Sequence, residues 1–506
     1  MNFTQTQNTL LLLSLFFLVL SLYLFIKEKR DWKMLIFLGL SAASLFSFAA
    51  SLDPFLNMWD ERFHALVAKN LMLHPLKPTL YDDPVISMAY NKWDEAYIWL
   101  HKQPLFLWQI ALSFKLFGIS EFTLRIPNIV LSTTLVLATY RSGKLLFNRN
   151  TGYISGILMM SSFYLIELVS GRQGIDHNDV SFLAYVSFSI WAFIEYYYSQ
   201  KKYWLYLIGA FSGMAILCKW LVGLLIYLGW MILRIQERKL RLSENKDFFI
   251  ALVVTVLVAL PWQLLTFSWY PTEAMAAQAY NSLHFTEVIE GHGGDFWYHF
   301  KNFDTLYGAL ATFCILLSLF LSYKSANSKK LVISIMTMLF ATYLFYSMAA
   351  TKMPSFTIVV AMLVFIFLAF LIDYFIQMVK PGLLQNIVFA STILILTTLR
   401  VDPTIIDTRH HNDYARHMIE NRDVFKALNL PDNTVIFNVT GRHYVEAMFY
   451  TGLPAYHFMP TDWEYEELIA QNRRVAIFHT SDMPPLPEYL NHSDVIIINE
   501  TIHAYE

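Results

Sequence analysis

The stretch 9–26, TLLLLSLFFLVLSLYLFI, decides the fold class, because it carries no charge over eighteen residues. A helix that crosses a bilayer needs ~20 mostly apolar residues, since the hydrocarbon core is ~30 Å thick. It must also satisfy every backbone polar group within the segment. The run is followed by Lys27-Glu28-Lys29-Arg30. A cleaved leader carries its positive charge ahead of the apolar run and small residues behind it. Here the charge lies behind, so the run reads as a retained helix. Working outward, further apolar runs lie near 33–51, 127–146, 150–169, 180–198, 203–217, 220–234, 248–267, 305–323, 331–349, 355–377 and 384–400, giving about twelve expected spans. The pair at 203–234 is short for two crossings.

Composition agrees with this reading. Hydrophobic residues make up 56% of the 506 and charged residues 15%, with a mean hydropathy of +0.42. A soluble domain carries about 25% charged residues. The net charge of −2 provides no basic field for nucleic acid, which is excluded as a partner. Cys218 and Cys314 sit in or beside apolar runs and read as small buried hydrophobes, neither a disulfide nor a metal pair.

Orientation follows from Lys and Arg, which collect in cytoplasmic loops. If the spans alternate, Lys27–Lys33, Arg141–Arg149, Lys201-Lys202, Arg234–Lys246, Lys324–Lys330 and Lys380 all fall on one side. That predicts a multi-pass protein of the plasma (inner) membrane. The loops 52–126 and 268–304, a short loop near 170–179 and everything after Arg400 then lie on the extracytoplasmic face. The apolar segment 105–118 is too short to cross comfortably and is expected to lie at the interface.

After Arg400 the pattern changes. The runs NTVIFNV from Asn433, RRVAIFHT from Arg473 and DVIIIN from Asp494 alternate with helix-like stretches. Strands alternating with helices argue for a small parallel α/β unit. The expected architecture is thus a transmembrane catalytic domain at 1–400 and a soluble extracytoplasmic α/β domain at 401–506.

The informative polar residues lie in the outer loops. Asp60-Glu61-Arg62 opens an amphipathic stretch just after the second span, and His101-Lys102-Gln103 precedes the interfacial helix. Arg172-Gln173-Gly174-Ile175-Asp176 forms the next outer loop, His284 and His292 lie in the second long loop, and Lys352 sits between two long spans. Taken singly, a surface Lys is an anchor for headgroups and widely spaced histidines are a weak metal signal. Together they gather carboxylates, cations and histidines beside a membrane. That combination suits a reaction on an anionic lipid, with a base for an acceptor hydroxyl and positive charge or a metal ion for a departing phosphate.

The motifs WDERFHALVAKNL, HKQPLFLWQIALSFKLFGISEFTLRIPN, GRQGID and TKMPSF, in this order across roughly 55–360, resemble the GT-C class of membrane glycosyltransferases. The likeness is to the branch holding aminoarabinose transferases and protein mannosyltransferase-like enzymes. It implies Asp60 as the catalytic base and Asp176 as a second catalytic carboxylate. Lys102, Arg172, Lys352 and Arg62 are implied to hold the donor phosphate. His101, His284 and Glu61 are the implied ligands of a divalent metal ion (Zn, Mg or Mn). Two positions depart from the pattern: Gln103 stands where proline is usual, and His101 where the aminoarabinose enzymes tend to carry glutamate.

The function so implied is transfer of a sugar from a polyprenyl-phosphate donor to a lipid, glycan or protein acceptor on the outer face, with inversion. The alternative is a transporter or flippase for a lipid-linked substrate. Such a protein places ionisable residues inside its spans near the midplane, whereas here they cluster in outer loops. A scaffold without activity is a third reading, disfavoured by the presence of Asp60.

Overall fold

The structure, a computed structural model, describes residues 3–28, 30–173, 176–406 and 413–505. It is a polytopic helical membrane protein. Helices α1 (Gln5–Lys27) and α2 (Asp31–Ala50) form an antiparallel pair, closed by small residues: the Ser14 and Ser41 hydroxyls each donate to the other's carbonyl at 3.0 and 2.8 Å. Two shorter helices, α3 (Asp60–Leu71) and α4 (Leu105–Phe117), lie in the first long loop. Then come α5 (Glu121–Leu146), the bent pair α6 (Arg149–Met160) and α7 (Phe163–Val169), and α8 (Asp176–Ser199). They are followed by α9 (Tyr203–Lys219), α10 (Leu225–Gln236) and α11 (Lys246–Trp269).

Among the described residues nine helical stretches are long and apolar enough to cross a membrane, or ten if α6 and α7, bent by 48°, count as one span. Two features account for the difference from the expected twelve. Residues Tyr203–Gln236 pass as one apolar stretch of 34 residues, yet the chain reverses inside it. Trp220 takes a left-handed φ of 63°, and Gly223 folds back so that the Ser212 hydroxyl donates to its carbonyl at 2.7 Å. Tyr227 of α10 bonds Thr255 of α11, which in turn donates to the Gly209 carbonyl of α9, so α10 heads back toward the level of mid-α9. At 17 and 12 residues they are short passes. The other feature is α15 (Ala309–Ser325), which at 17 residues is also below full spanning length.

The second long loop holds α12 (Pro271–Thr286), α13 (Tyr298–Lys301) and α14 (Phe303–Tyr307). Beyond α15, the spans α16 (Lys329–Met348), α17 (Ala361–Ile376, entered through a 3₁₀ turn at Pro354–Val360) and α18 (Leu383–Ile406) complete the membrane part. At one end of the bundle Asp31 meets Lys144 and Arg149, and Arg149 also donates to the carbonyls of Phe25 and Glu28. The basic loops near residues 28 and 144–150 therefore meet at one end.

The last hundred residues form α19 (Asp413–Ala427), α20 (Tyr444–Thr451), α21 (Asp462–Ala470) and three strands, β1 (Thr434–Phe437), β2 (Arg474–Phe478) and β3 (Val495–Ile498). The sheet is parallel in the order β1-β2-β3, as the three β-rich runs imply, with Val435 opposite Val475 and Val475 opposite Val495. This region does not fold around a core of its own. Val435, Ile436, Phe437, Val445 and Phe449 share one buried cluster with Phe63, Leu66, Trp99, Phe106 and Ile110 of the first long loop. Helix α4 buries that face and leaves Leu112, Leu116 and Phe117 exposed, a two-sided apolar character that suits an interfacial helix. Polar ties reinforce the junction: Lys69 donates to the Phe449 carbonyl at 2.7 Å, and Glu121 meets both Lys426 (3.0 Å) and the Tyr450 hydroxyl (2.9 Å).

Candidate active site

Asp60 is the first residue of α3, and the residue before it, Trp59, takes φ 64° and ψ −126°. A non-glycine residue in this region costs about 1–3 kcal/mol and persists only where its surroundings hold it. Here the Arg442 guanidinium from the turn before α20 lies 4.9 Å above the Trp59 ring. The kink turns the Asp60 carboxylate toward Lys102, whose ammonium stands 3.6 Å away, with both side chains largely buried. The same device recurs at Trp220, where the left-handed residue follows Lys219. Lys219 pairs with Asp179 on α8 and lies 4.8 Å over the Phe356 ring. Lys102 is close enough to act electrostatically on Asp179 as well, so it links the two acid–base pairs.

Trp93 is the hub of the surrounding wall. Its ring stacks on His101 (4.7 Å, 18°), packs on Phe63 and donates to Glu290 at 3.0 Å, which also accepts from the Tyr280 hydroxyl. Arg442 lies 5.4 Å over its other side and bonds the neighbouring Asp94 at 3.1 Å. Trp93, Trp99, His101, Tyr280, Asn91 and Glu273 line one crevice. Burial, reinforced by the Lys102 ammonium, holds His101 well below the ordinary histidine range and His284 below it too. Both rings are accordingly neutral at pH 7. The loop carrying His284 is fastened to the Lys352 loop, with the Thr351 N–H donating to the His284 carbonyl at 2.9 Å and the Lys352 N–H to that of His292 at 2.8 Å.

The structure brings Asp60, Lys102, His101 and His284 together and places other expected site residues elsewhere. Glu61 is buried in an ion pair with Arg125 (2.7 and 2.9 Å), and one of its oxygens also accepts the Asn57 N–H at 2.6 Å. It is a structural carboxylate, not one presented to a metal. Arg172 bonds both oxygens of Asp53 at 2.8 and 2.9 Å with Glu167 nearby, so its charge is already committed to acids and not to a phosphate. Lys352 turns back onto the carbonyls of Tyr346, Ser347 and Ala349, neutralising the end of α16. Arg62 is buried, and its guanidinium has no hydrogen-bond partner among the described residues. Two positions after Asp60 on a helix, it faces the other side, toward Tyr414 and Tyr444. Gly174 and Ile175 and the side chain of Asp176 lie outside the described residues.

Sequence reasoning missed Lys219 and Asp179. Lys219 stands alone between two apolar runs, and Asp179 sits one helical turn beyond Asp176, just ahead of the apolar run 180–198. Charges bordering apolar runs were the available signal. The role of Gly171 was equally hidden: its φ is +78°, and a Cβ there would collide with the Glu61 carboxylate.

The fold that carries these residues has relatives of known structure. The segment 101–264 matches the family model described as dolichyl-phosphate-mannose-protein mannosyltransferase. Over almost its whole length the chain is similar to the crystal structure of ArnT from Cupriavidus metallidurans bound to undecaprenyl phosphate, with a TM-score of 0.63 at 14% identity, covering 89% of this chain and 90% of that one. It is also similar to the archaeal oligosaccharyltransferase AglB from Archaeoglobus fulgidus, in complex with an inhibitory peptide and a dolichol-phosphate (TM-score 0.54, 11% identity, 85% of this chain and 65% of that one). An oligosaccharyltransferase of that organism in complex with Zn and sulfate is similar at a TM-score of 0.52 and 10% identity, over 83% of this chain and 62% of that one. The fold is that of the GT-C membrane glycosyltransferases. An uncharacterized protein of Aquifex aeolicus (strain VF5) is 26% identical over 193 residues, which span 37% of this chain and about a third (35%) of that relative.

Proposed function

We propose that this chain is an inverting membrane glycosyltransferase, moving a sugar from a polyprenyl-phosphate donor to a hydroxyl of a lipid, glycan or protein. The observation that carries the reading is the largely buried Asp60–Lys102 pair at 3.6 Å, with Lys102 close enough to act electrostatically on Asp179, the partner of Lys219. The fold relatives solved with undecaprenyl phosphate and dolichol-phosphate support the donor class. In the reaction the acceptor oxygen bonds to the anomeric carbon and the bond from that carbon to the phosphate oxygen breaks. The electron pair leaves on the phosphate and the hydroxyl proton passes to the Asp60 carboxylate. Lys102 and Lys219 offset the charge developing on the phosphate, the kind of stabilisation that is strongest where water is excluded. Trp93, Trp99 and Tyr280 give apolar surfaces for a sugar ring, with Asn91 and Glu273 as partners for its hydroxyls.

Positive charge gathered at the opposite end of the bundle supports an outward-facing site in the inner membrane. On this reading 1–400 is the catalytic part and 401–506 an extracytoplasmic cover over the first loop. For a resident metal, His101 and His284 supply two neutral imidazoles, and the His284 Nδ1 is buried without a hydrogen-bond partner. Among the described residues no third His, Cys, Asp or Glu ligand joins them, and Lys102 places positive charge beside both. The pair does not fit a metal centre, and no step is assigned to one.

The test is turnover of a panel of polyprenyl-phosphate sugars by purified protein, with the anomeric configuration of the product read by NMR. Turnover with inversion, falling by about 10²–10⁴ in Asp60→Asn and clearly in Lys102→Ala, is the expected result. Donor binding without turnover, unchanged by Asp60→Asn, would instead favour transport.

A further inference from the structure

The geometry points to a divalent-metal site outside the crevice, at His417, Glu420 and His503, which clips the C-terminal tail to α19. His417 and Glu420 are three residues apart on α19 and so share a face. His503 arrives from the far end of the chain, and its backbone is fixed by reciprocal hydrogen bonds with the buried Asn421 side chain at 2.9 and 2.8 Å. One nitrogen of each ring and one carboxylate oxygen all lie within 4.8 Å of one another. Tetrahedral Zn²⁺, with bonds of about 2.0–2.2 Å, needs its donors roughly 3.4 Å apart. Rotations of these partly exposed side chains cover the difference.

The hydrogen bonds match those of a site that a metal can enter. The Tyr505 hydroxyl lies 2.7 Å from His417 Nδ1, which leaves Nε2 as the donor to the ion. Metal-ligating histidines characteristically have their second nitrogen held in this way. His503 Nε2 stands 2.8 Å from a Glu420 oxygen, so a proton shared between them occupies the place of the ion. The two imidazoles are stacked at 3.8 Å and nearly parallel (7°), and must turn for their lone pairs to converge. Arg416 is the competitor, with Nη2 3.4 Å from His417 Nε2 and Nε 3.8 Å from Glu420. Its guanidinium already bonds Asp413 at 2.9 Å, a partner onto which it can withdraw. Two imidazoles and a carboxylate suit Zn²⁺ and its late first-row neighbours more than Mg²⁺ or Ca²⁺.

What the clip would hold is visible in the packing. Tyr505 packs edge-on to Tyr414 at 5.1 Å, and the Tyr414 hydroxyl accepts the Met58 N–H at 3.3 Å. Arg422 of α19 donates to the Pro54 carbonyl. The site therefore anchors the segment 54–58 that leads into Asp60, and it stands or falls independently of the transferase reading.

The test uses full-length protein in detergent, without a polyhistidine tag and stripped with chelator, titrated with Co²⁺ and then Zn²⁺. One equivalent of Co²⁺ should give visible ligand-field absorption that Zn²⁺ abolishes, and Zn²⁺ should protect the tail from carboxypeptidase. His417→Ala and His503→Ala should each remove the absorption, Tyr505→Phe should weaken binding about 10–100-fold, and the His101→Ala/His284→Ala double variant should bind as wild type. The elution profile of each variant separates loss of the metal from misfolding. Absence of stoichiometric binding by the wild type, or binding that survives both His417→Ala and His503→Ala, would overturn the proposal.

Discussion

Asp60 and Glu61 are neighbours of the same chemistry, and their amide variants should fail in opposite ways. All five N–H groups of Arg125 are used: Nε and Nη2 on Glu61 (2.7 and 2.9 Å), Nη1 on the Ala50 and Asp53 carbonyls (2.9 and 2.6 Å), and Nη2 again on Phe55 (2.9 Å). Neither side chain reaches solvent beyond 1%. Glu61→Gln keeps the shape, removes the charge and turns an amide N–H toward a guanidinium N–H. Breaking one side of a buried pair costs about 3–5 kcal/mol, which is roughly 200- to 5,000-fold in the folding equilibrium at 1.36 kcal/mol per decade. Asp60 makes one ion contact, with Lys102 at 3.6 Å, against the two short Arg125 bonds of Glu61, so Asp60→Asn should cost far less stability than Glu61→Gln while removing the proposed base. The assay pairs thermal unfolding in detergent with donor turnover at a temperature where both variants are folded. Glu61→Gln should unfold several degrees early and retain measurable turnover when folded; Asp60→Asn should unfold with wild type and be inactive. Equal unfolding midpoints for Glu61→Gln and wild type would refute the structural assignment of this pair.

Lys219→Met should lower turnover by at least about tenfold through loss of charge beside the phosphate. Adding Asp179→Asn should then restore the thermal stability lost with the buried partner, but not the turnover. Lowering the pH should destabilise the protein. Burial and the nearby Lys352 push His299 down to about 4, and His101 and His284 are depressed in the same direction. A folded pKa below the unfolded value gives stability present above pH ~6.5 and lost as pH falls through the folded value. The unfolding midpoint followed from pH 7 to 4 should therefore fall, and less steeply in His299→Gln. Arg442→Ala should release Trp59 and Trp93 at about 1–2 kcal/mol, read as a roughly tenfold drop in kcat/KM, with partial rescue by Arg442→Lys; an unchanged kcat/KM would remove Arg442 from the positioning of Asp60.

The spans and the sheet were legible because they depend on local pattern: uncharged runs of spanning length, and three β-rich runs separated by helix-like stretches. Asp60 and Lys102 stood out because motif order carried them. The partners of the other charges were not legible. Nothing local distinguishes Arg172, which serves Asp53 from 119 positions away, from a phosphate ligand, and Lys352 shows its role as a helix cap only once the end of α16 is in place. The pairing of Lys219 with Asp179 was not legible because the backbone reversal at Trp220 that aims it inward has no strong sequence signal. A left-handed tryptophan is set by its surroundings rather than by its own preference.

The core shared by the first long loop and the last hundred residues has a consequence for biosynthesis. Phe63, Leu66, Trp99 and Phe106 emerge early, but the strands that cover them are made more than three hundred residues later. At about 5–20 residues per second during synthesis, the first loop waits tens of seconds with an apolar face uncovered. During that interval it is open to chaperones, proteases or a wrong partner. Ribosome stalling or a nonsense mutation between residue 407 and the first strand would thus leave the membrane helices made and the first loop without its cover, and degradation of such products should begin at that loop.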